Sequence, residues 1–166
     1  MAGHGSLTAL LVVAACATSH ESAEPPAPRA PDLQGRPDAE LLVAVVGDAG
    51  GRLDVWAQLA TEVAYRLPDL VIVGPEARTS EAASLARELF ATATVIEPRA
   101  AGFDYGFAHV TAHEREVVIE HDRHGTRVVI DRMKLSRADA MAIVRMRRDT
   151  LSVDAYTADG LPLPAR

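Results

Sequence analysis

Three short pairings of an acid with an arginine stand out along the chain: Asp48 with Arg52, Glu76 with Arg78, and Glu97 with Arg99. Each pairing follows a run of apolar, strand-favouring residues, respectively Leu41 to Gly47, Leu70 to Val73, and Thr94 to Ile96. In open α/β sheets, ligands bind beyond the carboxyl ends of the strands, so loops of this composition can converge on one small anionic ligand. The same charges can equally pair with one another in solvent, where ion pairs contribute little energy. Gly50 and Gly51 extend the first set, because glycines let backbone N–H groups approach an anion at the start of a helix. The candidate ligand-binding residues are therefore Asp48, Gly50, Gly51, Arg52, Glu76, Arg78, Glu97 and Arg99. Arg52 and Arg78 fall at or before expected helix N-termini, where the helix dipole disfavours a cation, so a compensating carboxylate or anion is expected beside them.

Other chemistries have less to stand on. No Walker or dinucleotide-binding glycine pattern occurs, and Asp48 would repel a phosphate unless a metal bridged the two. His109, His113, His121 and His124 lie among Glu114, Glu120 and Asp122, which are zinc-competent types. Yet His109 continues the alternating stripe Phe103, Tyr105, Phe107, and His121 and His124 flank an expected hairpin turn, so packing and turn roles account for them. No metal site and no cofactor are expected. Neither a G-x-S-x-G elbow nor an H-E-x-x-H pair is found, so catalysis has no positive sign and a non-enzyme is the favoured reading. The basic residues Arg132, Lys134, Arg137, Arg145, Arg147 and Arg148 suit the last turn of a helix, or attraction to anionic lipid or an acidic partner. With a formal charge of -6, the chain offers no general attraction to nucleic acid.

The elements that must position these residues follow from periodicity. Leu41 to Gly47 reads as a strand buried on both faces. Leu53, Trp56, Leu59, Ala60, Val63, Ala64 and Leu67 then recur at helical spacing until Pro68. Leu70 to Val73 repeats the strand, Ala82, Leu85, Ala86, Leu89 and Phe90 the helix, and Thr94 to Ile96 a third strand. The fold class is α/β: a small βαβαβ parallel core, with strand order 2-1-3 or 1-2-3. Beyond Pro98, segments Phe103 to Ala112, Arg115 to His121 and Arg127 to Met133 predict an antiparallel β-hairpin region, with a turn over Asp122-Arg123-His124-Gly125. Ser136 and Asp139 resemble a capping-box variant opening a C-terminal helix that ends near Arg148. Only 4% of the residues are aromatic, so the core must rely on Val, Leu, Ile and Ala.

At the N-terminus, Leu7 to Ala15 (LTALLVVAA) is a short apolar run ending in small residues, which suits a secretory signal and is short for a bilayer span. Val13-Ala14-Ala15-Cys16 resembles the lipobox of bacterial lipoproteins. That resemblance implies cleavage before Cys16, attachment of acyl chains such as palmitate to that cysteine, and an exported protein held on a membrane of the cell envelope. Cys16 is the only cysteine in the chain, so it has no internal disulfide partner. The n-region, Met1 to Ser6, departs from the pattern in lacking Lys and Arg. From Ala17 to Glu40, Pro25, Pro26, Pro28, Pro31 and Pro37 among polar residues read as an extended tether. The organisation expected is a signal peptide over 1–15, a lipidated Pro-rich tether over 16–40, a single α/β domain over 41–155 and a tail over 156–166.

Val45-Val46-Gly47-Asp48 and the later Val73-Gly74 loosely resemble the opening of calcineurin-like metallophosphoesterases. Asp48-Ala49-Gly50 lacks that family's histidine, Gly74-Pro75-Glu76 lacks its second aspartate, and no Gly-Asn-His follows. Two function classes remain. One is an envelope lipoprotein whose domain binds a partner protein or a small anionic ligand. The other is a metal-assisted hydrolase using Asp48 with Glu76, His109 or His121.

Overall fold

The computed structural model describes residues 40–74, 80–96, 101–121 and 125–164. Cys16, Glu76, Arg78, Glu97, Arg99, Asp122, Arg123 and His124 lie outside them, so the expected anchor, four of the ligand-binding candidates and most of one hairpin turn receive no structural account. Among the described residues the architecture is mixed α/β and rich in strand.

Strand β1 (Leu41–Val46) is buried at every position, as an unbroken run of Leu, Val and Ala requires when both faces are covered. Helix α1 (Leu53–Ala64) returns the chain to β2 (Leu70–Ile72), and α2 (Ser80–Leu89) returns it to β3 (Thr94–Ile96). The three strands pair in parallel, Val43 beside Leu70 and Leu70 beside Thr94. Of the two strand orders the sequence leaves open, the structure takes the one with β2 in the middle. Four strands then form an antiparallel meander: β4 (Ala101–Asp104), β5 (Ala108–Ala112), β6 (Glu116–His121) and β7 (Thr126–Asp131). A short helix α3 (Arg132–Arg137) leads back to β8 (Ala140–Arg147) and β9 (Thr150–Thr157), which rejoin the first sheet. Its order is β3-β2-β1-β8-β9, so the sheet is mixed, with antiparallel β8 hydrogen-bonded directly to β1.

The layers follow from the pleat. Leu42, Ala44 and Val46 face Trp56, Leu59, Ala60 and Val63 of α1 and Ala82, Ala86 and Phe90 from α2 and its end. Leu41, Val43 and Val45 face the other way, onto Val110, Ala112, Val117, Ile119 and Ile130 of the meander. The five-stranded sheet is thus sandwiched between two helices and a second sheet, an arrangement that lets a core poor in aromatics exclude water from both faces of β1.

Three sequence expectations are corrected. The C-terminal helix expected from Ser136 to Arg148 is replaced by α3 and β8. Ser136 caps nothing there; Asp131 is the N-cap, its side chain accepting from Lys134 N at 3.1 Å. The run Met141-Ala142-Ile143-Val144 is buried on both sides, Met141 and Ile143 against the helices and Ala142 and Val144 against the meander, a demand that a one-sided helix cannot meet. Asp139, at φ 46, turns the chain between α3 and β8. Phe103 to Ala112 is likewise two strands, broken where Gly106 takes φ 73 and its N–H donates to Asp104 Oδ1 at 2.8 Å. Where the sequence suggests a tail from 156, Tyr156 bridges Pro162 and Leu163 N donates to Ala155 O at 2.7 Å, so the chain folds back on β9.

Gly47 ends β1 at a crowded crossing. A Cβ there would lie 2.6 Å from Ala140 O, 2.8 Å from Leu135 C and 2.9 Å from Ser136 N, all backbone atoms that cannot swing aside. Gly47→Ala is expected to destabilise the fold by about 1–3 kcal/mol in urea denaturation, the usual penalty for overpacking. Gly51→Ala, which meets no atom within 4 Å, is expected to cost less, through its positive φ alone.

Candidate functional site

The β1–α1 loop leaves the sheet beside α3. Gly47 N donates to Ala140 O at 2.9 Å and Asp48 N to Ser136 Oγ at 2.7 Å, while the Ser136 hydroxyl donates to Arg132 O at 2.8 Å. One serine side chain thus couples the loop to the first turn of α3. Asp48 Oδ1 accepts from Gly50 N at 2.9 Å, closing a tight turn that Gly50 and Gly51 complete at φ 64 and 79. Arg52 donates from Nε to Ala49 O at 3.0 Å and pairs through its other end with Asp139. The compensating acid expected for Arg52 is therefore Asp139, supplied from the α3–β8 turn, while Asp48 faces elsewhere.

Asp48 faces a cleft of about 210 Å³, which it lines with Glu114, Arg115, Arg132, Met133 and Ser136. Arg132 is the unusual member. It is only 4% exposed, and its guanidinium donates to Val73 O at 2.6 Å and to His113 O and Glu114 O at 3.2 Å each. These carbonyls belong to the end of β2 and to the β5–β6 turn, so one side chain ties the two sheets together where their strands end. Its Nε is buried with no hydrogen-bond partner among the described residues. Burial holds the Arg132 pKa below its ordinary value, and the nearby carboxylates of Asp48 and Glu114 oppose that shift only in part.

A second cleft lies on the other side of the same loop, about 120 Å³, lined by Ala49, Gly51, Arg52, Leu53, Trp56, Glu81 and Ala82. Trp56 is the only tryptophan, and its Nε1 is likewise buried without a hydrogen-bond partner among the described residues.

Of the sequence-derived candidates, Asp48, Gly50, Gly51 and Arg52 share one loop with a cleft on either side. Glu76, Arg78, Glu97 and Arg99 fall outside the described residues. His109 and His121 sit apart from Asp48, while His113 meets the cleft only through its backbone carbonyl, which accepts from Arg132, and His124 lies outside the described residues. His121 Nε2 is 2.9 Å from Arg147 O, at the end of β8 remote from Gly47 and Ala140, and His109 lies in register with Glu120, next to it. Among the described residues no group of three or more His, Cys, Asp or Glu is arranged to hold a metal ion.

Arg132 and Ser136 carry the cleft, although by sequence Arg132 suits a late helical turn and Ser136 a helix cap. A signal for Arg132 was present: Val128 and Ile130 alternate inward along β7, and the next inward position is 132.

No family model, curated protein or solved structure matches the chain.

Removing the Arg132 guanidinium leaves three strand-end carbonyls without a donor. Arg132→Met, which keeps the stem, is expected to cost at least the roughly 1–3 kcal/mol attached to one buried unsatisfied polar group. The exposed Arg115→Ala should stay within about 0.5 kcal/mol, as surface substitutions do. Guanidinium denaturation of the two variants checks the contrast.

Proposed function

We propose that the protein is an exported lipoprotein, anchored through acyl chains on Cys16, whose α/β domain binds a small anionic ligand in the cleft between the β1–α1 loop and α3. The observation that carries the ligand reading is the buried Arg132, whose Nε has no hydrogen-bond partner among the described residues, beside a cleft also lined by Arg115. Two guanidiniums, one fixed by backbone carbonyls and one exposed, offer a preorganised and an adaptable contact to a carboxylate or phosphate. Ser136 adds a hydroxyl, and Met133 an apolar wall. Asp48 and Glu114 select against highly charged anions, because each added negative charge meets like charge at close range.

The anchor reading rests on the lipobox-like Val13-Ala14-Ala15-Cys16 and on the proline-rich stretch between Cys16 and the first strand. Two acyl chains bind a membrane stably where one does not. The lipoprotein reading needs no catalytic step. The alternative, a metal-assisted hydrolase using Asp48 with one or more of Glu76, His109 and His121, draws no support from the two histidines, which lie at the end of β8 remote from Asp48, and Glu76 lies outside the described residues.

Titration calorimetry with inorganic phosphate, acetate and succinate tests the cleft. A monovalent or singly ionised anion is expected to bind, Arg115→Ala to weaken it about tenfold, and Asp48→Asn to strengthen it by removing a repelling carboxylate. Silence from all three anions, or affinities indifferent to both substitutions, would count against the cleft. For the anchor, the intact mass of the chain purified from its native membrane should show a diacylated N-terminus at Cys16; an unprocessed N-terminus would refute it.

A further inference from the structure

The cleft between the β1–α1 loop and α3 carries charges of both signs, and the two signs are held apart. Asp48, Glu114, Arg115 and Arg132 all line it, yet among the described residues none of the four is ion-paired. Elsewhere on the domain Arg52 takes Asp139, Arg66 takes Glu62, and Arg145 and Arg147 share Glu40. Both cleft carboxylates still act on Arg132, opposing in part the fall in pKa that burial causes. The lining is neutral in sum, two acids against two guanidiniums, and its flanks keep the balance, since Glu116 and Asp131 are matched by Lys134 and Arg137. A lone anion therefore gains from the arginines and loses to the carboxylates. The hydrogen-bonding groups divide in the same way. Ser136 Oγ commits its proton to Arg132 O and accepts from Asp48 N, so its remaining capacity is a lone pair. Asp48 uses Oδ1 on Gly50 N and keeps Oδ2 open. With the Glu114 carboxylate these make three acceptors, the number an ammonium group can use, while the unpartnered Arg132 Nε and the Arg115 guanidinium supply donors for a carboxylate.

We propose that this cleft takes a zwitterion, a small free α-amino acid with an aliphatic side chain, its carboxylate on Arg115 and Arg132 and its ammonium on Asp48, Glu114 and Ser136 Oγ. The proposal rests on the anionic-ligand reading of the same cleft and narrows it, the carboxylate being the anionic group. A zwitterion has no net charge, which suits a lining with none, and its dipole joins charges that the fold leaves apart. Each of its polar contacts is charge-assisted and so stronger than a neutral hydrogen bond. A simple carboxylate, by contrast, would enter facing Asp48 and Glu114 with no cation between them. At about 30 Å³ per water-sized group, the cleft of about 210 Å³ holds roughly seven such groups, a size between alanine and valine. Half-exposed Met133 gives the aliphatic side chain an apolar wall that adapts to its shape.

Titration calorimetry on the full chain compares alanine with three partial ligands: acetate, which has the carboxylate alone, methylammonium, which has the ammonium alone, and N-acetylalanine, which keeps the carboxylate and loses the positive charge. Alanine is expected to bind about tenfold more tightly than any of the three, the scale of one charge-assisted hydrogen bond. Asp48→Asn keeps an acceptor for Gly50 N and is expected to weaken alanine about tenfold while strengthening acetate, because it removes a partner of the ammonium and a repeller of the carboxylate. Glu114→Gln should move the two ligands in the same opposite directions, on an exposed side chain whose residue meets Arg132 only through its backbone carbonyl. Arg115→Ala should weaken both. Alanine binding no more tightly than acetate, or both acid substitutions strengthening alanine and acetate alike, would overturn the zwitterion and leave the anion cleft standing. Silence from alanine, acetate and phosphate together would overturn both.

Discussion

A charged group sealed where two sheets meet must be satisfied by fixed partners, and Arg132 meets that constraint with backbone carbonyls. Val73 O belongs to the parallel half of one sheet, His113 O and Glu114 O to a turn of the other. Pulling the side chain out would leave carbonyls unsatisfied in both layers, so their relative position is set by the reach of one guanidinium. The consequences spread outward. Arg132 opens α3, α3 places Ser136 under Asp48 N, and that hydrogen bond fixes the β1–α1 loop against Gly47, which has no room for a side chain. The same few atoms thus determine how the sheets dock and what shape the cleft takes.

Where the sequence was legible, one periodicity dominated. The buried strand Leu41–Val46 and helix Leu53–Ala64 follow from an unbroken apolar run and from helical spacing stopped by Pro68. Residues 140 to 147 suggest a helix only because Met141 and Val144 alone fit a helical face, whereas the full set Ala140 to Val144 is apolar at every position. A short continuous apolar run is compatible with a helix segment or a doubly buried strand, and only the tertiary context decides. Here β1 needed a neighbour on its free edge, and β8 supplied it with six residues in register from Leu41 to Val46.

The site was legible in location more than in composition. A strand ending in Gly47-Asp48, followed by glycines and a helix, marked the carboxyl end of β1 as a place for chemistry, and the cleft does open there. Its cationic half comes from residues distant in sequence, Arg115 and Arg132, which no local spacing connects to Asp48. Arg52, the cation adjacent in sequence, is drawn away by Asp139. Local charge pairs are a poor guide to such a site, because an arginine side chain finds whichever carboxylate the fold brings near, and folds bring near residues that are far apart along the chain.

The two ends of the domain are chemically distinct, and the sheet explains why. β1 and β8 run antiparallel, so the start of β1 lies beside the end of β8, and the β1–α1 loop lies at the opposite end, beside the start of β8. Seven residue steps of β8 run from Ala140, under the cleft, to Arg147, beside Glu40. At about 3.3 Å per residue that is on the order of 25 Å, more than two Debye lengths at physiological salt. Electrostatic crosstalk between the ends is therefore screened through solvent, and each can take its own partner.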